Sequence, residues 1–411
     1  MSSRVVIVGA GHAGGTAAAQ LRQFGFAGEI VLIGDEAVAP YQRPPLSKAY
    51  LKDDADLESL KLRPDSFYEE QAISLHLGAH VEGVDIAART VRFGGGGEVS
   101  YDFLILATGS KTRRLAVPGA DLKGLHQLRT VKDAEGLRGA IGPGRRLAVV
   151  GAGYVGLEAA ASARAHGCAV TVIEREDRVL ARVAAEPLSR FFERYHRERG
   201  VEILTGASVA AFEGGDDGFV RAVRLGDGRE IPCDAALVGI GADPDDDLAR
   251  SAGLICDHGV VVDEQARTSD PAVFAIGDVT RRPMPLYAGR MHRLESVPNA
   301  LEQAKQAAAA IVGRAPPAPE VPWFWSDQYD LKLQIAGTPF DGDRIVVRGD
   351  MDSARFSLCH LRGDRLLCVE ACNAPADFMA GKLLIGRGAR VDLDRLADAS
   401  QPLKTLEVTA A

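Results

Sequence analysis

Residues 4–19 read RVVIVGAGHAGGTAAA, and residues 146–161 read RLAVVGAGYVGLEAAA. Each stretch is a short β-branched strand pattern, then GxGxxG, then an alanine-rich helical pattern. In a dinucleotide-binding βαβ unit, the first glycine permits a tight turn, the second lets the backbone approach a pyrophosphate, and the third lets helix and strand pack closely. These glycines are Gly9, Gly11 and Gly14 in the first copy and Gly151, Gly153 and Gly156 in the second. The two copies therefore predict two Rossmann-like units in an α/β chain.

An acidic residue follows each glycine motif at the end of a second strand pattern. The first is Asp35 in EIVLIGDE, with Glu36 beside it, and the second is Glu174 in AVTVIERE. A carboxylate about 20 residues beyond GxGxxG accepts hydrogen bonds from ribose hydroxyls in such folds. The alternative, two unrelated glycine turns, does not account for the acidic residue in both copies.

The composition is that of an ordinary globular protein. The chain has 411 residues, of which 46% are hydrophobic and 25% are charged. Its formal net charge of −8 argues against bulk binding to nucleic acid or to an anionic membrane. We expect no membrane span and no signal peptide, because the sequence has no apolar run of about 18 residues and no leader pattern. The six cysteines form no CxxC motif, which is typical of a reducing, cytoplasmic environment.

Two further strand patterns end in residues suited to a cofactor site. FLILATGS (103–110) ends in Ala107, Thr108 and Gly109, and AVFAIGDV (272–279) ends in Gly277 and Asp278. An aspartate in that place can bond a ribityl hydroxyl or a phosphate-bridging water. It could equally be a capping residue in a loop.

The order of these motifs resembles that of the flavoprotein oxidoreductases that bind two dinucleotides. VGAGHAGG, ATGS, VGAGYVGLEAA, GIGADP and FAIGDV follow one another in that order. Three more segments, YQRPPLSKAYL (41–51), ESVPNALEQA (295–304) and PWFWSDQYDLKLQIAG (322–337), are similar to the bacterial oxygenase-coupled, NADH-dependent ferredoxin reductases. The resemblance covers nearly the whole chain.

The resemblance implies a glutathione-reductase-like fold, noncovalent FAD on the first unit and NADH on the second. NADH would give a hydride to FAD, which would pass single electrons to a 2Fe–2S ferredoxin that supplies an oxygenase. The implied FAD domain is 1–110 plus 242–316, and the NAD domain is 111–241. After the proline-rich APPAPEVP (315–322), alternating apolar and polar residues predict a C-terminal α+β domain, 317–411, with an antiparallel sheet. A monomer or weak homodimer is expected.

The resemblance also implies roles for individual residues. It places Lys48 close to the flavin and Glu158 near the nicotinamide, where the two could pair as catalytic residues. From the residues alone, Lys48 could be a surface lysine and Glu158 a solvated carboxylate in a helix's first turn. The other cofactor-binding candidates are His12, Ala13, Arg43, Pro44, Val81, Arg129, Glu295, Ser296, Val297 and Trp325 for FAD, and Tyr154, Val155, Arg182 and Gly241 for NADH. No metal site is expected.

The positions of the cysteines bear on the alternative functions. The first cysteine is Cys168, within the second unit, so the chain lacks the redox thiol that disulfide reductases need near the flavin. A flavin NADH oxidase or apoptosis-inducing-factor-like flavoprotein, reducing oxygen or quinones, remains the main alternative, followed by a redox-sensing binding module. A local basic patch, with Arg290, Arg293, Lys305 and Lys332 as candidates, would attract an acidic ferredoxin. The alternative is that these are scattered solvated charges.

Overall fold

The computed structural model describes residues 3–408. Its first region contains β1 (Arg4–Val8), α1 (His12–Gln23), β2 (Glu29–Gly34), α2 (Leu57–Leu60), α3 (Asp65–Glu70), β3 (Ile73–Leu77), β4 (Val81–Asp85), β5 (Thr90–Phe93), β6 (Gly97–Ser100), β7 (Phe103–Leu106) and β8 (Ser110–Thr112). β1 pairs in parallel with β2 and with β7. Val5, Val6 and Ile7 are fully buried, as expected for a parallel strand covered on both faces.

The second region repeats this plan. It contains β9 (Leu125–His126), α4 (Val131–Ala140), β10 (Arg146–Val150), α5 (Tyr154–Ala165), β11 (Ala169–Ile173), α6 (Glu186–Glu198), β12 (Val201–Leu204), β13 (Val209–Gly214), β14 (Val220–Leu225), β15 (Glu230–Pro232) and β16 (Ala235–Val238). A five-stranded parallel sheet has the order β12-β11-β10-β16-β9. β13, β14 and β15 form a separate antiparallel sheet.

The chain then returns to the first region. This part contains β17 (Ala242–Pro244), α7 (Asp247–Ser251), β18 (Val260–Val261), β19 (Val273–Ala275), β20 (Thr280–Met284), β21 (Arg290–His292) and α8 (Val297–Ile311). β19 pairs with β7 and completes a sheet of order β19-β7-β1-β2-β3. α8 packs against α1, and Ala17, Ala18, Ala304 and Ala307 are fully buried in one core. Small side chains let the two helices approach closely.

The C-terminal region is an antiparallel sheet with one long helix. It contains β22 (Trp323–Gln328), β23 (Leu331–Gly337), β24 (Arg344–Asp350), β25 (Arg355–Arg362), β26 (Arg365–Cys372), α9 (Pro375–Gly386), β27 (Arg390–Val391) and β28 (Glu407–Val408). One face of the sheet shares a core with α6, in which Phe356 contacts Phe191. The α/β fold class with a C-terminal antiparallel sheet is therefore confirmed. The domain boundaries stay predictions.

Candidate functional site

The first glycine motif has the geometry of a nucleotide cradle. Gly9 has a φ of +108°, and a Cβ there would lie 2.2 Å from the Ala107 carbonyl oxygen. A Cβ on Gly14 would lie 1.9 Å from the Gly9 carbonyl oxygen. At Gly11 the nearest atoms belong to the Arg43 side chain, at 3.9 Å. Chain packing therefore requires the first and third glycines, while the second leaves room for a ligand to approach the backbone.

The second motif repeats this pattern. Gly151 has a φ of +102°, and a Cβ there would lie 2.4 Å from the Gly239 carbonyl oxygen. A Cβ on Gly156 would lie 2.2 Å from the Gly151 carbonyl oxygen. At Gly153, no described atom beyond its own helix and the adjacent residues lies within 4 Å of that position. Both motifs therefore fit a pyrophosphate at the N-terminus of the helix that follows.

A cavity of about 840 Å³ runs along the first motif. This volume lies within the range of cofactor sites. The predicted residues that line it are Gly9, Gly11, His12, Ala13, Asp35, Glu36, Arg43, Pro44, Lys48, Val81, Ala107, Thr108, Gly109, Arg129, Tyr154, Val155, Glu158, Gly277, Asp278, Glu295, Ser296, Val297 and Trp325. Because Tyr154, Val155 and Glu158 belong to α5, the cavity extends from the first unit to the second.

His12 is an unsatisfied polar group at the start of α1. Its Nδ1 is buried and has no hydrogen-bond partner within residues 3–408. Burial, helped by the Arg43 guanidinium, lowers the pKa of His12 to about 4. A neutral ring with a free nitrogen beside the Gly11 cradle fits a polar cofactor seated there.

The two acidic residues after the first motif have different environments. Asp35 is exposed, and its Oδ1 lies 3.2 Å from His80 Nδ1. Glu36 accepts hydrogen bonds from Arg43 Nη2 and from the Tyr41 hydroxyl, both at 2.6 Å. Glu36 thus fixes the 41–44 loop, while Asp35 is the carboxylate more available to a ribose.

Asp278 lies deeper in the cavity wall. Its Oδ2 accepts hydrogen bonds from Arg129 Nη2 at 3.1 Å and from Ser110 Oγ at 3.4 Å. The neighbouring Gly277 N–H donates to Gln303 Oε1 at 2.8 Å. The structure therefore places Arg129 beside Asp278, a neighbour that the sequence did not indicate.

Lys48 and Glu158 form a largely buried ion pair. Lys48 Nζ lies 2.7 Å from Glu158 Oε2, and the side chains are 14% and 4% exposed. Glu158 also accepts hydrogen bonds from Ser47 Oγ and Ser326 Oγ, both at 2.6 Å. The expected pairing is observed, and the alternatives of a surface lysine and a solvated carboxylate are wrong. Sequence reasoning missed both serines.

The remaining NADH candidates lie outside the cavity lining, around the second motif. Glu174 accepts hydrogen bonds from the Ala152 N–H at 2.7 Å and the Glu176 N–H at 2.9 Å. Arg182 Nη2 lies 3.5 Å from the Ile240 carbonyl oxygen, next to Gly241. Glu174 is thereby held at the end of β11, and Arg182 and Gly241 are brought together.

The tryptophan predicted to bind the cofactor lines the cavity, whereas several of the predicted docking cations are paired with carboxylates. Trp325 lines the cavity and packs against Trp323, with ring centroids 5.4 Å apart. Carboxylates lie near several of the candidate cations: Arg290 pairs with Asp341, Arg293 with Glu295, and Lys305 with Glu320 at 3.9 Å. These pairs reduce the positive potential that the sequence suggested.

Residues 3–408 contain no metal cluster, no membrane-spanning helix and no disulfide. That part of the chain contains no group of three His, Cys, Asp or Glu residues placed to hold a metal ion. None of its helices is long and apolar enough to cross a membrane. The six cysteines, all within it, are free thiols.

Comparisons with known proteins agree with this geometry. The model of the pyridine nucleotide-disulphide oxidoreductase family matches residues 3–304, and the reductase C-terminal model matches residues 323–407. The probable ferredoxin reductase CtmF of Castellaniella defragrans is 56% identical over 407 residues, covering 99% of both chains. Rhodocoxin reductase of Rhodococcus erythropolis is 44% identical and covers 97% of this chain and 93% of its own.

A solved structure is also similar over nearly the whole chain. The reductase in the covalent putidaredoxin reductase–putidaredoxin complex superposes with a TM-score of 0.96, at 43% identity and over 98% of both chains. The chain belongs to the pyridine nucleotide-disulphide oxidoreductase family, among its ferredoxin reductases.

Proposed function

We propose, from this family membership, that the protein is an FAD-dependent NADH:ferredoxin oxidoreductase. It takes a hydride from NADH and passes single electrons to a 2Fe–2S ferredoxin, which supplies an oxygenase. The observation that carries the proposal is the 840 Å³ cavity, which begins at the first glycine motif and reaches the start of α5 in the second. Two dinucleotides bound at the two motifs would meet there, beside the Lys48–Glu158 pair.

Bound flavin supplies the conversion from two-electron to one-electron transfer. The chain supplies binding and charge. Gly11 and Gly153 let the backbone approach the two pyrophosphates, and Glu174 accepts hydrogen bonds from the NADH ribose. Lys48 holds a positive charge at the cavity wall, which stabilises negative charge on the reduced cofactor, and Glu158 fixes its position.

The N-terminus of α8 adds to this charge. Ser296 caps the helix by accepting a hydrogen bond from the Asn299 N–H, and Ser296 and Val297 line the cavity. The positive end of the helix dipole therefore faces the cofactor site and favours an anionic ligand. Together with Lys48, it supports hydride acceptance without a protein acid or nucleophile.

The lack of a cysteine in the cavity lining of the described residues separates this function from disulfide reduction. No cysteine in the described part of the chain lines the cavity. Burial raises the pKa of Cys359 and of Cys372 to about 12, so these thiols stay protonated. The finer assignments belong to the same proposal: FAD on 1–110 and 242–316, NADH on 111–241, a cytoplasmic location, and a monomer or weak homodimer.

The decisive experiment measures cytochrome c reduction with NADH, with and without added 2Fe–2S ferredoxins. We expect slow turnover alone and strong acceleration by at least one ferredoxin from an oxygenase system. Rapid NADH consumption with oxygen or a quinone, unchanged by every ferredoxin, would instead identify an oxidase. If NADH reduces the flavin but no acceptor supports turnover, the protein would be a redox sensor.

A further inference from the structure

A chain of buried hydrogen bonds leads from the Lys48–Glu158 pair into the protein. Ser326 Oγ lies 2.6 Å from Glu158 Oε1, and Gln328 Nε2 lies 3.1 Å from Ser326 Oγ. His196 Nε2 lies 2.7 Å from Gln328 Oε1, and the Tyr329 hydroxyl lies 3.3 Å from His196 Nδ1. Ser326, Gln328 and His196 are each at most 1% exposed. None of these three residues lines the cavity proposed to hold the cofactor.

The donors of this chain all point the same way. Gln328 uses its NH₂ group toward Ser326, so its carbonyl oxygen faces His196 and requires a proton on His196 Nε2. A neutral ring with that proton has an acceptor at Nδ1, which the Tyr329 hydroxyl fills. Ser326 accepts from Gln328 and therefore directs its own proton to Glu158. Four donors in series are aimed at one carboxylate.

The surroundings keep each member in the required protonation state. Burial, helped by the nearby Arg199 guanidinium and opposed by the hydrogen bond to Gln328, lowers the pKa of His196 to about 4, so the ring is neutral at physiological pH. Burial raises the pKa of Tyr329 to about 12, so its hydroxyl keeps its proton. The charged and titratable groups facing Glu158 are Lys48 and Tyr154, and those facing His196 are Arg199 and Tyr329. At the far end, Tyr329 packs against Tyr195 and lies near the Arg199 and Arg164 guanidinium groups.

We propose that His196, Gln328 and Ser326 are positioning residues that hold the ionised Glu158 carboxylate against Lys48 at the cavity wall. The chain reaches Glu158 through α6 and β22, so the C-terminal sheet takes part in setting the charge beside the cofactor. Hydrogen bonds in series polarise one another, which strengthens the last bond to the carboxylate. The proposal rests on the proposed function only in that the Lys48 charge assists reduction by NADH.

The first test reads the chain directly, by ¹⁵N NMR of holoprotein with labelled histidine. We expect His196 to be the neutral Nε2–H tautomer from pH 5 to pH 8. The Nδ1–H tautomer would reverse the direction of these hydrogen bonds, and an imidazolium signal at pH 6 would leave the Tyr329 hydroxyl without its acceptor; either result would overturn the proposal. This result does not depend on whether NADH or ferredoxin is the true substrate.

The second test measures flavin reduction by NADH in a stopped-flow instrument, without ferredoxin, from pH 5 to pH 9. Gln328→Met and His196→Met remove donors without adding charge, so the negative charge of the Glu158 carboxylate is less well stabilised. We expect the acid limb of the rate profile to move to higher pH by about one unit, with the plateau at high pH unchanged. His196→Gln keeps a donor near the Nε2 position and should restore the wild-type profile.

Gln306→Met is the matched control. Gln306 is a buried glutamine that also donates to a carboxylate, Glu302 Oε1 at 3.3 Å, but it is not part of the hydrogen-bond series that ends at Glu158. An unmoved acid limb in Gln328→Met and His196→Met, or an equal shift in Gln306→Met, would overturn the positioning role. If wild-type flavin is not reduced by NADH at all, the proposed function fails, and the NMR result still decides the direction of the chain.

Discussion

Replacing Glu174 with alanine should weaken the preference for NADH over NADPH. Its Oε2 accepts the Ala152 N–H at 2.7 Å and its Oε1 accepts the Glu176 N–H at 2.9 Å. Each carboxylate oxygen accepts two hydrogen bonds, so one position on each remains for the two ribose hydroxyls of NADH. The same negative charge repels the 2′-phosphate of NADPH.

A hydrogen bond to a charged group contributes about 1.5–3 kcal/mol, and solvent access at this strand end reduces that value. We therefore expect the NADH-to-NADPH ratio of kcat/KM to fall roughly 5- to 150-fold in Glu174→Ala, which corresponds to about 1–3 kcal/mol of lost discrimination between the two nucleotides. The loss should fall mainly on NADH. The assay is steady-state reduction of ferricyanide with each nucleotide, which needs no protein partner.

Two further variants make this test specific. Glu202→Ala removes a nearby carboxylate that accepts a hydrogen bond from Thr171 Oγ1 at 2.9 Å, and it should leave the ratio unchanged. In the wild-type protein, Arg175 Nη2 pairs with Glu176 at 2.9 Å. Glu176→Ala removes this partner, so the Arg175 charge becomes available to the 2′-phosphate and kcat/KM for NADPH should rise. Equal losses for both nucleotides in Glu174→Ala would refute the ribose argument, because they would mean that Glu174 only supports the glycine loop.

Four other predictions concern separate parts of the molecule. Lys48→Met leaves Glu158 buried without its charge partner, so urea unfolding should show a loss of up to about 3–5 kcal/mol and flavin reduction should slow; unchanged stability would contradict the buried pair. Denaturation and filtration should release one FAD, whereas colour kept on the polypeptide would mean a covalent link. Lys305→Glu should raise the KM for ferredoxin at low salt but not for NADH, with Lys123→Glu as a distant control; wild-type kinetics in both would place docking elsewhere. The pKa of His196 is lowered from 6.5 to about 4, so as the pH falls through this range the unfolded state takes up a proton before the folded state does. Protonation of the unfolded state therefore lowers the free energy of unfolding by about 3 kcal/mol between pH 6.5 and pH 4. His196→Gln should show a shallower fall in Tm over the same range.

The glycine motifs could be predicted because their requirements are local. Gly9 and Gly151 need positive φ values, and the third glycine of each motif lies against the carbonyl of the first. These contacts arise within one βαβ unit, so the motif spacing carries them. The antiparallel C-terminal sheet was predictable for the same reason, since side-chain alternation along a strand reflects which face is buried.

The state of Glu158 could not be predicted from its own segment. On α5 it lies in the first turns of a helix, where a carboxylate is usually solvated. Its burial depends on Ser47, 111 positions earlier, and Ser326, 168 positions later. The partners of Glu36 and Arg293 are close in sequence, but only the folded loops bring Arg43 and Tyr41 onto Glu36, and Glu295 onto Arg293. Charge can be counted in a sequence, but the neighbours that cancel it come from the tertiary fold.

The position of Glu158 links nucleotide binding to the charge at the cavity wall. Gly153 caps α5 and Glu158 lies on the same helix, so the helix whose N-terminus we propose to face the NADH pyrophosphate also carries the partner of Lys48. A shift of that helix would change the Lys48–Glu158 distance and therefore the charge beside the other cofactor. Ser47 and Ser326 oppose such a shift from two sides, because each bonds the same carboxylate from outside the second unit. With FAD and NADH bound as proposed, the pair would couple the two cofactor sites through one helix, and the surrounding hydrogen bonds would set how firmly the pair is held.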